Sequence, residues 1–363
     1  MKILYDHQMF SIQKYGGITK YFCELMKNFS PQHQFKLGLI FSENHHLKEN
    51  KDLLGKFNIL PTQNFKGKYY LQSALASMNH YYSRYCISKN NFDLFHPTFY
   101  DNYFFSILKK PYIITVHDLI IFKINDPVYK LHPRRLQMEN IIKKANRIIS
   151  ISENTKSDII ETFKINPTKI DVVYHGYNKP GIYQKTGEYG KYILFVGQRS
   201  HHKNFLTFIT AISKLLTREK DIKLICVGYP FNDDEARALL NLKITNQTFA
   251  RNVDEATLNN LYANALVFVY PSLYEGFGMP ILEAFANNCP VCLSNSSCFP
   301  EIAGNAGMYF DPYDRESILS SVEKVINDKS FASEKILAGQ NRLINFSWEK
   351  TGKETMQSYL RTI

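Results

Sequence analysis

Short apolar runs alternate with stretches where apolar residues recur every three or four positions, nearly throughout the chain. The short runs predict strands at 2–5, 35–41, 94–96, 112–116, 147–150 and 170–173, with helical periodicity at 20–29 and 155–163 between them. The alternation then restarts, with strands predicted at 192–196, 223–227, 267–270 and 291–293 and helices at 205–216, 255–264, 280–287 and 317–328. Strands separated by helices imply parallel sheets with helical crossovers. Two such series predict an α/β protein of two doubly wound domains. Glycine and proline punctuate the break at His175-Gly176-Tyr177-Asn178-Lys179-Pro180-Gly181. The boundaries expected are therefore 1–177 and 178–346, with 347–363, opened by Trp348, as a helix returning to the first domain. In open α/β sheets ligands bind beyond the carboxyl ends of the strands. A site is thus expected in a cleft between two facing domains, among the strand-to-helix turns.

Composition narrows the class. Hydrophobic residues make up 44% and charged residues 21% of the 363, which excludes a disordered chain. Apolar runs stay at strand length, far short of the ~20 residues of a membrane span. The start, Met1-Lys2-Ile3-Leu4-Tyr5-Asp6-His7, lacks the extended apolar stretch of a signal peptide, so a cytoplasmic protein is expected. Cys289-Pro290-Val291-Cys292 has zinc spacing but no second pair, and is read as small residues entering a buried strand; no metal is expected. The net charge is +11, and residues 1–180 hold 25 Lys and Arg against 14 Asp and Glu, so the whole excess lies in the first half. No nucleic-acid reader motif accompanies it, so no nucleic-acid partner is expected. An anionic lipid surface or a merely solvated basic face remain as explanations.

Three turns carry candidate chemistry. Tyr15-Gly16-Gly17-Ile18 reads either as a plain tight turn or as backbone N–H groups approaching an anion at a helix start. In Val196-Gly197-Gln198-Arg199-Ser200-His201-His202-Lys203, Arg199 and Lys203 are four apart and are expected to converge on one anion. In Glu275-Gly276-Phe277-Gly278-Met279-Pro280-Ile281-Leu282-Glu283, Pro280 suits a first helical position and Glu283 is expected in the first helical turn. Two carboxylates would then flank one helix N-terminus, placed to accept hydrogen bonds from sugar or ribose hydroxyls.

With its Glu-Gly-Phe-Gly step and second glutamate, the third turn resembles the signature of retaining glycosyltransferases of family 4, which have the GT-B fold of two Rossmann-like domains. Gly16–Gly17, Val116-His117-Asp118, Ser150-Ile151-Ser152-Glu153 and the Arg199…Lys203 turn fall in that family's order. The resemblance spans essentially the full chain. It implies that Arg199 and Lys203 hold the donor diphosphate, with Gly17 approaching it from the other domain. Glu275 would bind donor-sugar hydroxyls and Glu283 the nucleotide ribose. Backbone around Phe277, Gly278 and Met279 would line sugar and phosphate, and His117 would contact the sugar near the reacting carbon. Base recognition would lie near Gly228–Tyr229, Arg251 and Val253.

The opening Tyr5-Asp6-His7-Gln8 with Gly16–Gly17 resembles a mannosyltransferase-like branch that builds bacterial O-antigens. The implied reaction moves a hexose from a nucleotide sugar, GDP-mannose first and a UDP- or dTDP-sugar next, to a lipid-linked saccharide, without metal or other cofactor. A soluble sugar or sugar-phosphate acceptor is the rival within enzymes, and a non-catalytic nucleotide-sugar or glycan-binding protein the rival outside them. The charge split places a peripheral contact with the anionic inner-membrane surface on Lys66, Lys68, Arg134 and Arg135, beside Tyr69, Tyr70 and Leu71.

Overall fold

The computed structural model describes residues 1–30, 32–50, 58–59, 68–181 and 189–363. They divide into two units, Met1–Gly176 with Trp348–Ile363, and Tyr177–Ser347. No helix among the described residues is long and apolar enough to cross a membrane.

The first unit carries β1 (Lys2–Tyr5), β2 (Gln34–Leu37), β3 (Phe41–Ser42), β4 (Asn58–Ile59), β5 (Leu94–His96), β6 (Ile113–Val116), β7 (Arg147–Ser150) and β8 (Ile170–Val172). Two parallel three-stranded sheets, β2-β1-β5 and β6-β7-β8, are joined by a parallel bridge between Phe95 and Tyr112. Ile3, Leu4, Tyr5, Leu94, Phe95, Ile113, Ile114, Ile148 and Ile149 are all buried, as expected of parallel strands covered on both faces.

The Trp348–Leu360 helix belongs to this unit. Gly352 lets it approach closely: a Cβ there would lie 2.9 Å from the Asn28 carbonyl oxygen. Tyr359 then enters a buried polar chain. Its hydroxyl lies 2.8 Å from the Tyr5 hydroxyl and 2.7 Å from His96 Nδ1. His96 Nε2 meets Thr115 Oγ1 at 3.0 Å, and Thr115 meets the Tyr21 hydroxyl at 3.2 Å. Five elements distant in sequence are thus tied through satisfied buried polar groups.

The second unit carries β9 (Lys191–Val196), β10 (Ile222–Val227), β11 (Thr248–Arg251), β12 (Val267–Tyr270), β13 (Val291–Ser294) and β14 (Gly307–Phe310). All pairings are parallel, in the order β11-β10-β9-β12-β13-β14. The chain starts at the centre, walks out to β11, returns and walks out the other way. Its direction reverses between β9 and β12, which makes that gap the switch point of a Rossmann-like sheet. In the Phe205–Arg218 crossover, Phe205, Phe208, Ile209, Ile212 and Leu215 face the core at three- and four-residue spacing. Phe205 meets Phe195 of β9 edge-on and Phe208 stacks against it, with centroids 5.1 and 6.1 Å away.

Several expectations change. The run at 35–41 is not one strand: the chain leaves β2 at Gly38, where a Cβ would lie 2.8 Å from Ser83 Oγ, and bends at Ile40 before β3. Strands β11 and β14 were not predicted; they are the two edges of the sheet, and only one of four residues in β11 and two of four in β14 are fully buried. A 21-residue helix, Lys68–Ser88, also lacked a helical signal, since its apolar and aromatic residues lie on both faces.

Replacing Tyr359 with Phe would leave the Tyr5 hydroxyl and His96 Nδ1 without this shared partner. It is expected to cost about 1–3 kcal/mol, measured as a lower urea midpoint for the first unit; an unchanged midpoint would show that the chain of hydroxyls does not anchor the last helix.

Candidate active site

Two loops emerge on either side of the switch point. One follows β9 and runs through Gly197 and Ser200 into a single 3-10 turn, His201–Lys203. The other follows β12 and runs through Glu275 to the Met279–Ala286 helix. They meet through one ion pair. Lys203 Nζ donates to Glu275 Oε1 at 2.5 Å and to the Tyr270 hydroxyl at 3.2 Å, and lies 5.1 Å from the centre of the Tyr270 ring. The Glu275 backbone N–H donates to Ser297 Oγ at 3.1 Å, fixing the loop from below. An ammonium has three donors; two are committed here, which leaves one for a ligand oxygen. His202, beside Lys203, is lowered by burial to about 4 and is therefore neutral, so Lys203 supplies the positive charge of this turn.

Gly278 sets the second loop. Its φ of +87° is a left-handed conformation that suits glycine, and a Cβ would lie 3.0 Å from Ile281 and 3.1 Å from Phe299. The helix starts at the next residue, Met279, with Pro280 second. Glu283 is consequently the fifth helical residue rather than part of the first turn. Its Oε2 accepts from the buried Tyr262 hydroxyl at 3.2 Å. Phe277 is buried, edge-on to Phe346 at 6.0 Å, so only its backbone is available to a ligand.

The structure does not bring Arg199 and Lys203 onto one anion. Arg199 Nε donates to Glu235 Oε1 at 3.0 Å, and its NH2 to the carbonyls of Tyr229 and Pro230 at 2.6 and 2.8 Å. Its guanidinium lies beside the stacked pair Phe205 and Phe231, 5.4 and 4.8 Å from their centroids, and its side chain is 4% exposed. Glu235 is itself held by the capping box with Asn232 that opens the Asp233–Asn241 helix. The reason lies in the backbone: residues four apart share a face in an α-helix, but Ser200 is extended and only a 3-10 turn follows. Arg199 is a strut that ties the β9 loop to the β10 loop. Gly228 completes this junction: its N–H donates to the Arg251 carbonyl at 2.8 Å, and a Cβ there would lie 2.8 Å from the Gly197 carbonyl oxygen. Arg251 and Val253 follow on the same sheet edge, with Arg251 exposed and lying over Phe249 at 5.4 Å.

In the first unit, Gly17 opens the Gly17–Lys27 helix, and Gly16 before it is extended. His117 directly follows β6. It is buried, its ring is edge-on to Tyr21 at 5.3 Å, and its Nε2 has no partner among the described residues. Burial lowers it to about 3, so the imidazole is neutral and can exchange a hydrogen bond with an incoming hydroxyl. The expected basic membrane contact is changed. Lys68 is buried and lies 3.4 Å from the Glu43 carboxylate, while Arg135 donates to the Ile121 carbonyl and stacks 4.3 Å from the centre of Phe122. Arg134 is exposed, over Phe99 at 5.2 Å, and Lys66 lies outside the described residues. Tyr270, Tyr262 and Ser297, which position the two glutamates, were not singled out from sequence. Tyr270 closes strand β12, and its apolar context hides the polar end.

The sheet of the second unit is Rossmann-like, and the matches to known families identify the chain as a glycosyltransferase of the GT-B class. Residues 183–342 match the family described as "Glycosyl transferases group 1", and residues 15–179 match "Glycosyltransferase Family 4". The chain belongs to glycosyltransferase family 4. It is 30% identical over 267 residues to O-antigen chain mannosyltransferase B of Escherichia coli, covering 68% of this chain and 69% of the relative. It is 30% identical over 213 residues to O-antigen chain mannosyltransferase RfbU of Salmonella typhimurium, covering 58% of this chain and 60% of the relative. A third relative is an N-acetylgalactosamine-N,N'-diacetylbacillosaminyl-diphospho-undecaprenol 4-alpha-N-acetylgalactosaminyltransferase of Campylobacter jejuni, 28% identical over 51% of this chain and 52% of its own length. Among solved structures, Anabaena Alr3699/HepE in complex with UDP-glucose covers 100% of both chains with a TM-score of 0.75 at 16% identity, a likeness of fold.

The buried histidines set a pH dependence. Burial lowers both His96 and His117 to about 3, whereas in an unfolded chain they titrate near 6.5. The unfolded state therefore binds more protons between these values, and stability is full above about pH 6.5 and falls as pH drops toward 3. Each histidine is expected to remove on the order of 2 kcal/mol between pH 6.5 and 5. Urea midpoints at pH 7 and 5 check this. A His117→Asn variant should show the shallower dependence, and equal slopes would contradict the assignment.

Proposed function

We propose that the chain is a retaining transferase that moves mannose from GDP-mannose onto a lipid-linked, growing glycan of the O-antigen type. The observation that carries this reading is the Lys203–Glu275 pair across the switch point, in a chain whose 30%-identical relatives are named O-antigen mannosyltransferases. Lys203 would turn its free donor to the donor diphosphate and stabilise the charge that grows as the sugar–phosphate bond breaks. Glu275, held by Lys203 and Ser297, would accept hydrogen bonds from sugar hydroxyls, and Glu283 would do the same for the ribose. Gly228, Arg251 and Val253 stand along the sheet edge for the base. His117 would serve the sugar and Gly17 the phosphates.

A carboxylate already paired with an ammonium is a poor covalent nucleophile, which supports a front-face substitution. The acceptor oxygen bonds the anomeric carbon on the face that the nucleoside diphosphate leaves, and its proton passes to a leaving-phosphate oxygen. With Lys203 supplying the cation, turnover is expected to persist in excess EDTA.

Nucleoside diphosphate release from GDP-, UDP- and dTDP-sugars tests the reading, with GDP-mannose expected to be the best donor. Lys203→Ala should cut kcat/KM by ~10²-fold or more with the fold unchanged. Arg199→Ala should instead lower the melting temperature, because it strips a buried strut. Near-wild-type turnover by Lys203→Ala would overturn the phosphate role, and release from none of the donors would overturn the reading.

A further inference from the structure

The Lys68–Ser88 helix packs its Leu75, Asn79, Ser83 and Cys86 side against the first unit, and these residues are buried. Beside the exposed Ser73 and Ser77, part of its outer surface is apolar and aromatic. Tyr70, Leu71, Met78, Tyr81 and Tyr85 are 79%, 44%, 47%, 72% and 53% exposed. At 3.6 residues per turn these five, with Ala74, fall within an arc of about 100° and run ~22 Å along the axis. Single exposed apolar residues are ordinary, but a continuous stripe along a four-turn face marks an interaction surface.

The chemistry of the stripe selects the partner. None of the helix's 21 residues is acidic. Two exposed lysines border it, with Lys36 Nζ 5.6 Å from the Tyr82 ring centre and Lys89 Nζ 5.2 Å from that of Tyr85. The half of the chain that contains the helix holds the entire +11 excess. Three of the five side chains are tyrosines, whose apolar rings and polar ends suit the headgroup level of a bilayer better than a dry protein core. Basic groups beside such rings add attraction to anionic lipid.

We propose that the exposed stripe of the Lys68–Ser88 helix, bordered by Lys36 and Lys89, docks the first unit on an anionic membrane surface. The proposal rests on the reading above that the acceptor is lipid-linked, and it replaces the docking site expected at Lys68 and Arg135, whose charged groups are engaged within the fold. The helix lies flat, with its tyrosines in the headgroup layer and its buried side still on the core. Attachment is reversible and weakens with salt, because much of it is electrostatic.

Co-sedimentation with vesicles of phosphatidylcholine alone, and of phosphatidylcholine with an equal part of phosphatidylglycerol, tests this. Wild-type protein should bind the anionic vesicles, with little binding to the neutral ones. Tyr70→Gln, Leu71→Gln, Met78→Gln, Tyr81→Gln and Tyr85→Gln together should lower the bound fraction at least about ten-fold; all are exposed, and glutamine keeps helix propensity. Lys36→Ser with Lys89→Ser should lower it several-fold at low salt, while Arg134→Ser should leave it unchanged. Every variant should still release nucleoside diphosphate with a short soluble acceptor, which separates this proposal from the catalytic reading: loss of that release in the wild type overturns the latter alone. Equal binding to both vesicle types, wild-type binding by the five-fold glutamine variant, or a wild-type dimer in sedimentation velocity that the same variant abolishes would each overturn the membrane assignment.

Discussion

The Lys203–Glu275 ion pair joins the two loops that leave the parallel sheet of the second unit at its switch point. Strand order reverses between β9 and β12, so their loops lie at the carboxyl edge of the sheet where ligands bind in open α/β sheets. The pair joins those loops at 2.5 Å, with the two side chains only 15% and 11% exposed. A partly buried pair of this kind gains little over well-packed apolar residues, since desolvation offsets most of the attraction. Stability alone does not account for it. The proposed function, with a cation held ready for phosphate beside a carboxylate held ready for hydroxyls, would account for it.

The same turn uses a second cation for a different purpose. Arg199 spends three of its five donors on Glu235 and on the carbonyls of Tyr229 and Pro230, and it packs beside two stacked aromatic rings. It holds the β9 and β10 loops at the spacing that the Gly197–Gly228 contact requires. A planar guanidinium can satisfy several carbonyls at once, whereas an ammonium on a flexible stem can leave one partner for another. Rigid support thus falls to arginine, and lysine is the side chain suited to the ligand exchange that the proposed function requires.

The alternation of strand and helix was legible because parallel strands buried on both faces read as continuous apolar runs, as in Lys191–Val196 and Val267–Tyr270. The edge strands β11 and β14 were not, since a half-covered strand need not be apolar. The glutamate pair was legible from its glycines and proline, although Gly278 starts the helix early enough to move Glu283 into the second turn. The convergence of Arg199 with Lys203 failed because spacing alone does not distinguish an α-helical turn from an extended residue followed by a 3-10 turn. Burial likewise separated Lys68 from the basic surface it was expected to join. Tyr270, Tyr262 and Ser297 carry no signal in a single sequence, because their roles come from strands and loops far apart along the chain.

The central claim is that the crevice between β9 and β12 receives a nucleoside diphosphate through Lys203. A crystal structure of the protein with GDP, and a second with UDP, would test this most directly. The account predicts a phosphate oxygen within hydrogen-bond reach of Lys203 Nζ, near the start of the Met279–Ala286 helix, with Arg199 still bonded to Glu235. Phosphate density on a released Arg199, with the Lys203–Glu275 pair untouched, would contradict it.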